Sequence, residues 1–125
     1  MAKVTAGNLR QMKVFPYKSI KLEDVTTDGA SKVKIRWVIT KEMGASNFAM
    51  RIFEVEPKGY TPLHNHSWEH EVFVLEGEGQ LSDGEKAKPF KAGDAIFVSP
   101  GEMHQFKNSG GNILKFICLV PYVKE

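Results

Sequence analysis

The chain has 125 residues, 42% hydrophobic and 26% charged, a size that holds one domain around one core and leaves no room for a second catalytic domain. A single cysteine, Cys118, excludes an intrachain disulfide and the cysteine-dense secreted scaffolds, so a reducing cytoplasmic setting is expected. The net charge of +2 is modest and its excess of Lys and Arg falls in residues 1–41, too mild a tilt to suggest a nucleic-acid partner.

Met1-Ala-Lys leads into no apolar stretch of signal-peptide length, and no run of about 20 apolar residues offers a bilayer span, so a soluble protein with no membrane partner is expected. Residues 1–30 mix polar and β-branched residues without a period and read as an N-terminal arm, lying on the barrel or on a second subunit. Residues 31–125 form one folding unit of short alternating runs cut by Gly, Pro, Asn and Asp. Strands are predicted over 32–40, 48–56, 70–75, 79–81, 95–98, 104–107 and 113–120, with turns at 42–47, 57–59, 82–86, 100–102 and 108–112. In the first strand Lys32, Lys34 and Arg36 alternate with Val33, Ile35 and Trp37, the pattern of a solvated face opposite a buried one. Seven strands at this spacing predict an all-β fold, a small antiparallel barrel or sandwich.

The segment 59–71 carries His64, His66 and His70, three of the chain's four histidines within seven positions. In an extended strand side chains alternate faces, so His64 and His66 point the same way and can share one ion. Two imidazoles seldom hold a metal tightly, so further ligands must converge, and His70 and His104 are the candidates.

The spacing resembles the two motifs of the cupin superfamily. In the first motif, His64-Asn65-His66 is followed by three residues, His70, six residues and Gly77, with His70 in the place of the family's glutamate. The motif's opening glycine falls on Lys58, with Gly59 beside it. The second motif is matched by Gly93, five residues, Ser99-Pro100-Gly101, two residues, His104, three residues and Asn108, departing only in Ser99 for proline. The resemblance covers about residues 32–122 and implies a jelly-roll-like double-stranded β-helix with one mononuclear metal inside.

Glu71 stands beside His70 at the four-residue variant of the motif spacing, and adjacent strand residues face opposite sides, so at most one of the two reaches the ion. His70 is favoured by its six-residue distance to Gly77 and by its parity with Val72 and Val74. The stretch is also similar to a subset of small single-domain cupins in which Trp-Glu-His-Glu supplies a fourth histidine. That resemblance implies a metal site of His64, His66, His70 and His104, manganese first, with iron, nickel, zinc or copper as alternatives. Four neutral imidazoles leave the full 2+ on the ion and leave octahedral positions open for water or a bidentate substrate. Each ligand must be unprotonated, so metal loss is expected below about pH 6.

Lys115 is expected to face solvent, which turns Leu114, Phe116, Cys118 and Val120 inward, where Phe116 and Cys118 line a cavity or belong to the plain core. Arg51 is a candidate contact for a substrate anion or a neighbouring subunit, or a solvated charge; Trp68 either shields the mouth of the site or covers an edge. No residue stands out as a catalytic acid, base or nucleophile. The resemblance is compatible with an oxygen-dependent oxidase or dioxygenase acting on a small organic substrate chelated at the metal, with a non-redox isomerase or lyase, and with a binding or sensing module. A homodimer is expected, as is common among similar cupins.

Overall fold

The computed structural model describes residues 12–122. In chain order the strands are β1 (Glu23–Asp24), β2 (Ser31–Ile39), β3 (Phe48–Tyr60), β4 (His70–Glu76), β5 (Glu78–Ser82), β6 (Ala87–Lys91), β7 (Ala95–Val98), β8 (Gln105–Asn108) and β9 (Leu114–Pro121), with single 3-10 turns at Tyr17–Ser19 and Lys41–Met43. All pairings are antiparallel, and the path β6-β5-β8-β3-β9-β4-β7 curls into a half-barrel, with β2 added along β3 and β1 along β2. The small antiparallel β fold expected from the alternation is the one observed.

The alternation works as the sequence pattern requires. Along β4, His70, Val72 and Val74 are buried while Glu71 and Phe73 are exposed. With Val33, Val55, Phe90, Val98, Phe106, Leu114, Phe116 and Cys118, the two valines close a single core inside the curl. β6, absent from the predicted strands, buries only Phe90 and pairs on one side with β5; its exposed Lys88 and Pro89 are typical of a protected edge, and they hide the apolar signal that strand prediction reads.

Residues 57–59 do not turn. Strand β3 runs through them by a bulge: Ser31 pairs with Tyr60 and Val33 with Val55, so one residue of β2 faces four of β3. Lys32 at φ 58° and Lys58 at φ 73° stand on the two sides of this irregularity, both in the left-handed region. Beyond it β3 leaves β9 and meets β8 through Tyr60 and Lys107, which carries the chain to the histidines.

Of the described arm residues, Tyr17 lies on the outer face of the sheet, whereas Val25 and Ala30 pack against the core and Glu23 to Thr27 border the internal cavity; residues 1–11 of the expected arm lie outside the described residues. Lys115, expected in solvent, is 8% exposed: it points outward, but Tyr17 covers it and the Tyr17 hydroxyl accepts a hydrogen bond from its Nζ at 2.8 Å. Arg36 is likewise covered, stacking on Tyr17, donating Nε–H to the Ile20 carbonyl at 3.0 Å and pairing with Glu54. Periodicity alone assigns a face and is blind to what a neighbouring segment lays over it.

Candidate metal centre

The histidines converge by a route that differs from the expected strand. Residues 61–69 are largely irregular, and His64 is fixed by an isolated bridge to His104, the two exchanging backbone hydrogen bonds at 3.2 and 2.9 Å. His66 follows two residues on, His70 opens β4 from inside, and His104 immediately precedes β8. Ring centroids lie 4.8 Å apart for His64 and His104, 5.1 Å for His64 and His66, 5.0 Å for His66 and His104, 4.6 Å for His66 and His70, and 5.3 Å for His70 and His104. Ligand-capable atoms of His64, His66 and His104 all fall within 4.8 Å of one another.

Hydrogen bonds on the far sides of two rings assign their tautomers. His104 Nδ1 donates to the Glu102 carbonyl at 2.8 Å and His66 Nδ1 to the Trp68 carbonyl at 3.1 Å, so each turns the lone pair of Nε2 inward. His104 Nε2 is buried without a hydrogen-bond partner, a costly state for an imidazole nitrogen unless something occupies the space before it. A borderline divalent cation fits that space: His66 and His104 turn neutral nitrogens inward and have their outer nitrogens held by carbonyls, the arrangement that orients metal-bound imidazoles. His70 faces the same centre with its Nε2 2.9 Å from that of His66, whereas Glu71 is exposed on the opposite face of β4, in register with Phe97 and Leu119.

The surroundings of His64, His66 and His70 disfavour their protonated forms. Burial lowers the pKa of His64, with further depression from the charges of His104, His66 and Arg51. Burial also lowers that of His66, against a raising contribution from its Trp68 carbonyl bond. His70, 5% exposed, is pushed down to about 3, chiefly by burial and then by Arg51. The Cys118 thiol is pushed upward by burial, partly offset by Arg51, so it remains protonated and no candidate nucleophile arises there.

A cavity of about 440 Å³ opens onto the four histidines, within the range of small-molecule sites. Arg51, Trp68, Phe116 and Cys118 all line it. Trp68 stacks on His66 at 4.2 Å and 4° between planes, and it also borders an outer groove with Phe48, Glu71, Leu119 and Pro121. Sequence reasoning did not single out Trp37, Phe53 and Phe106, which complete an aromatic wall. The signal for two of them was present in the parity of Trp37 with Val33 and of Phe53 with Arg51, but which strands pair, Trp37 with Arg51 and Ile35 with Phe53, is a matter of register.

Among known proteins, the cupin domain model matches residues 51–120. The oxalate-binding protein of Thermotoga maritima is 33% identical over 96 residues, covering 74% of this chain and 78% of that protein. Among solved structures, the polyketide cyclase RemF from Streptomyces resistomycificus superposes with a TM-score of 0.83 at 34% identity, covering 92% of this chain and 89% of that one. A predicted oxalate decarboxylase from Thermotoga maritima gives 0.78 at 29% identity, covering 89% and 100%.

Proposed function

Since the chain belongs to the cupin family, we propose that it holds one divalent transition metal on His64, His66, His70 and His104 and acts there on a small organic molecule that binds through its oxygens. The observation that carries this reading is the buried, unpartnered Nε2 of His104, turned toward three other imidazoles. When bound, the ion supplies Lewis acidity, and, if it is manganese or iron, redox chemistry as well. The chain supplies the rest. Glu102 and Trp68 carbonyls fix two ligand tautomers, Trp68 and the aromatic wall exclude water from one side of the site, and Arg51 adds a fixed positive charge.

The reaction proposed first is an oxygen-dependent oxidation, by an oxidase or dioxygenase, with manganese the first choice of metal and iron, nickel, zinc or copper as alternatives. Metal analysis of protein purified without added ions, followed by oxygen-uptake measurements on small enols, diols and phenols, tests it. The wild type is expected to carry close to one metal per chain and to consume oxygen, and His66→Ala to lose both. A non-redox reading, with the ion polarising an enolate, is favoured by the likeness to a protein described as a polyketide cyclase. A binding module is favoured by the likeness to an oxalate-binding protein. Turnover that persists without oxygen and with zinc selects the former; ligand-dependent melting shifts without turnover select the latter.

The protein is proposed to act in the cytoplasm as a homodimer. No helix among the described residues is long and apolar enough to cross a membrane.

A further inference from the structure

Arg51 is a cation lining the cavity, and no described residue forms an ion pair with it. Its Nη2 donates to Cys118 Sγ at 3.0 Å and lies 3.5 Å from His70 Nδ1, partners that carry no negative charge. Its Nε is buried with no hydrogen-bond partner. The guanidinium lies over the rings of Phe53 and Trp37, 5.0 and 5.6 Å from their centroids. Ion pairs among the described residues join Arg36 to Glu54 and Lys115 to Glu76, both on the outer face of the sheet, and none reaches Arg51. The carboxylates that line the cavity, Glu23 and Asp24, are exposed on β1.

A guanidinium partly withdrawn from water and left without a counter-charge is unfavourable, and the aromatic faces compensate only in part. The same cavity would also receive a dication on four neutral ligands, so positive charge accumulates where, among the described residues, the exposed Glu23 and Asp24 are the carboxylates that line the space and neither is paired with Arg51. A bound anion balances it.

We propose that the cavity takes a planar organic acid whose carboxylate is received by Arg51 while a flat, conjugated body lies against the aromatic wall of Trp37, Phe53, Phe106 and Trp68. This assigns the substrate class of the metal centre proposed above and rests on that reading for the acid's remaining oxygens, though not for the contact with Arg51. Planarity favours a carboxylate over a phosphate. A guanidinium offers its N–H donors in one plane, which the two coplanar oxygens of a carboxylate match, whereas a tetrahedral dianion holds part of its charge out of that plane.

The test is calorimetric titration of the full chain, manganese-loaded and chelator-treated, with salicylate, its neutral counterpart salicylamide, and phenyl phosphate. Salicylate is expected to bind the loaded protein, and Arg51→Met, which keeps the aliphatic stem, to weaken that binding about tenfold to hundredfold while leaving salicylamide unchanged. Arg51→Lys, which keeps the charge and loses the planar donor array, is expected to fall between, and serves if Arg51→Met does not fold. Equal binding of salicylate and salicylamide, indifference to both variants, or a preference for phenyl phosphate would overturn the proposal. The chelator-treated protein separates the two readings. If it takes no manganese back yet binds salicylate in an Arg51-dependent way, the metal centre fails and this assignment stands; if manganese is retained and salicylate is not bound, the reverse holds.

Discussion

The Nε2 atoms of His66 and His70 stand 2.9 Å apart, while Nδ1 of His66 is already committed to the Trp68 carbonyl. Two ring nitrogens at that separation cannot both present bare lone pairs; a proton or a cation lies between them. Without metal the proton sits on His70 Nε2, which leaves His70 Nδ1 as an acceptor facing Arg51. Holding metal requires the other tautomer, with Nδ1–H turned to the Leu119 carbonyl or to Cys118, at 3.4 Å each.

Acid sensitivity of the metal-free protein follows from His70. Its pKa is about 3 in the fold against 6.5 when free, so the folded state binds fewer protons. The associated stability is fully present above pH 6.5 and is lost as pH falls through that window towards 3, a total of roughly 4–5 kcal/mol. Chelator-treated protein should therefore melt at steadily lower temperature from pH 6.5 downwards, and His70→Gln should flatten the profile. A profile of unchanged slope in the variant would remove His70 as its cause. Because His64 and His66 are also lowered, protons compete with metal less well than for free imidazole, and metal retained at pH 6 should be lost at a lower pH than the sequence alone suggests.

Trp68 offers an optical reading of the site. Its ring is stacked at 4.2 Å on His66, and any ion drawn onto His66 lies within quenching range of that indole. Titrating copper or manganese into the chelator-treated protein should quench tryptophan fluorescence with saturation at one equivalent, and Trp68→Phe should remove most of the change. If Trp37, which also lines the cavity, carries the signal instead, the quench survives in the variant.

The strands and the convergence of the histidines were legible in the sequence because both depend on local period and on turn residues. The His-x-His pair, the six residues from His70 to Gly77 and the run from Gly93 to Asn108 place four rings at one point once the chain curls. Gly77 shows why such positions are fixed: it sits at φ 85°, and a Cβ there would meet the Ile113 carbonyl at 2.6 Å. Less legible was whatever depends on which strand lies beside which. Register puts Trp37 next to Arg51, and the Tyr17 turn lands on Lys115 from 98 residues away. Neither leaves a periodic trace.

That Lys115–Tyr17 contact should be measurable. Lys115 is 8% exposed, and the hydrogen bond to the tyrosine hydroxyl is the leading cause that raises its pKa. Tyr17→Phe leaves Lys115 with Glu76 at 3.5 Å and should destabilise by about 1–2 kcal/mol. Because the folded pKa is raised, the loss should be seen at neutral pH and should shrink as pH climbs past 10.5. Denaturant unfolding of Tyr17→Phe, Lys115→Met and the double variant checks it; strict additivity would mean that the two residues do not interact.

Lys58 occupies the position of the motif's opening glycine and keeps the conformation that glycine would take, at φ 73°. A lysine there bears about 1–2 kcal/mol of steric strain that glycine lacks, against a smaller entropic cost of adding glycine to the unfolded chain. Lys58→Gly should raise the melting temperature by roughly 2–4 °C without changing metal content. The same change at Gly59, to alanine, should do the opposite, because a Cβ there meets the Ser31 carbonyl at 2.7 Å. Equal and small effects at both positions would show that the β3 bulge relaxes freely.

The proposed dimer has a surface to use. On the outer side of the β7–β4–β9 sheet, Phe97 is 59% and Phe73 47% exposed, with Ile117 paired opposite Phe73 and half-buried Leu119 near Phe97 across Glu71. Two large aromatic rings standing in water on one face are unfavourable in a monomer, and a twofold contact would bury both from each copy at once. Sedimentation at micromolar concentration should give a dimer for the wild type and a monomer for the Phe73→Glu, Phe97→Glu double variant. The double variant should still bind one metal, since both side chains point away from the cavity on strands that carry His70 and Val98 inward. A wild-type monomer would end the dimer proposal, and a variant that stays dimeric would move the contact to another face.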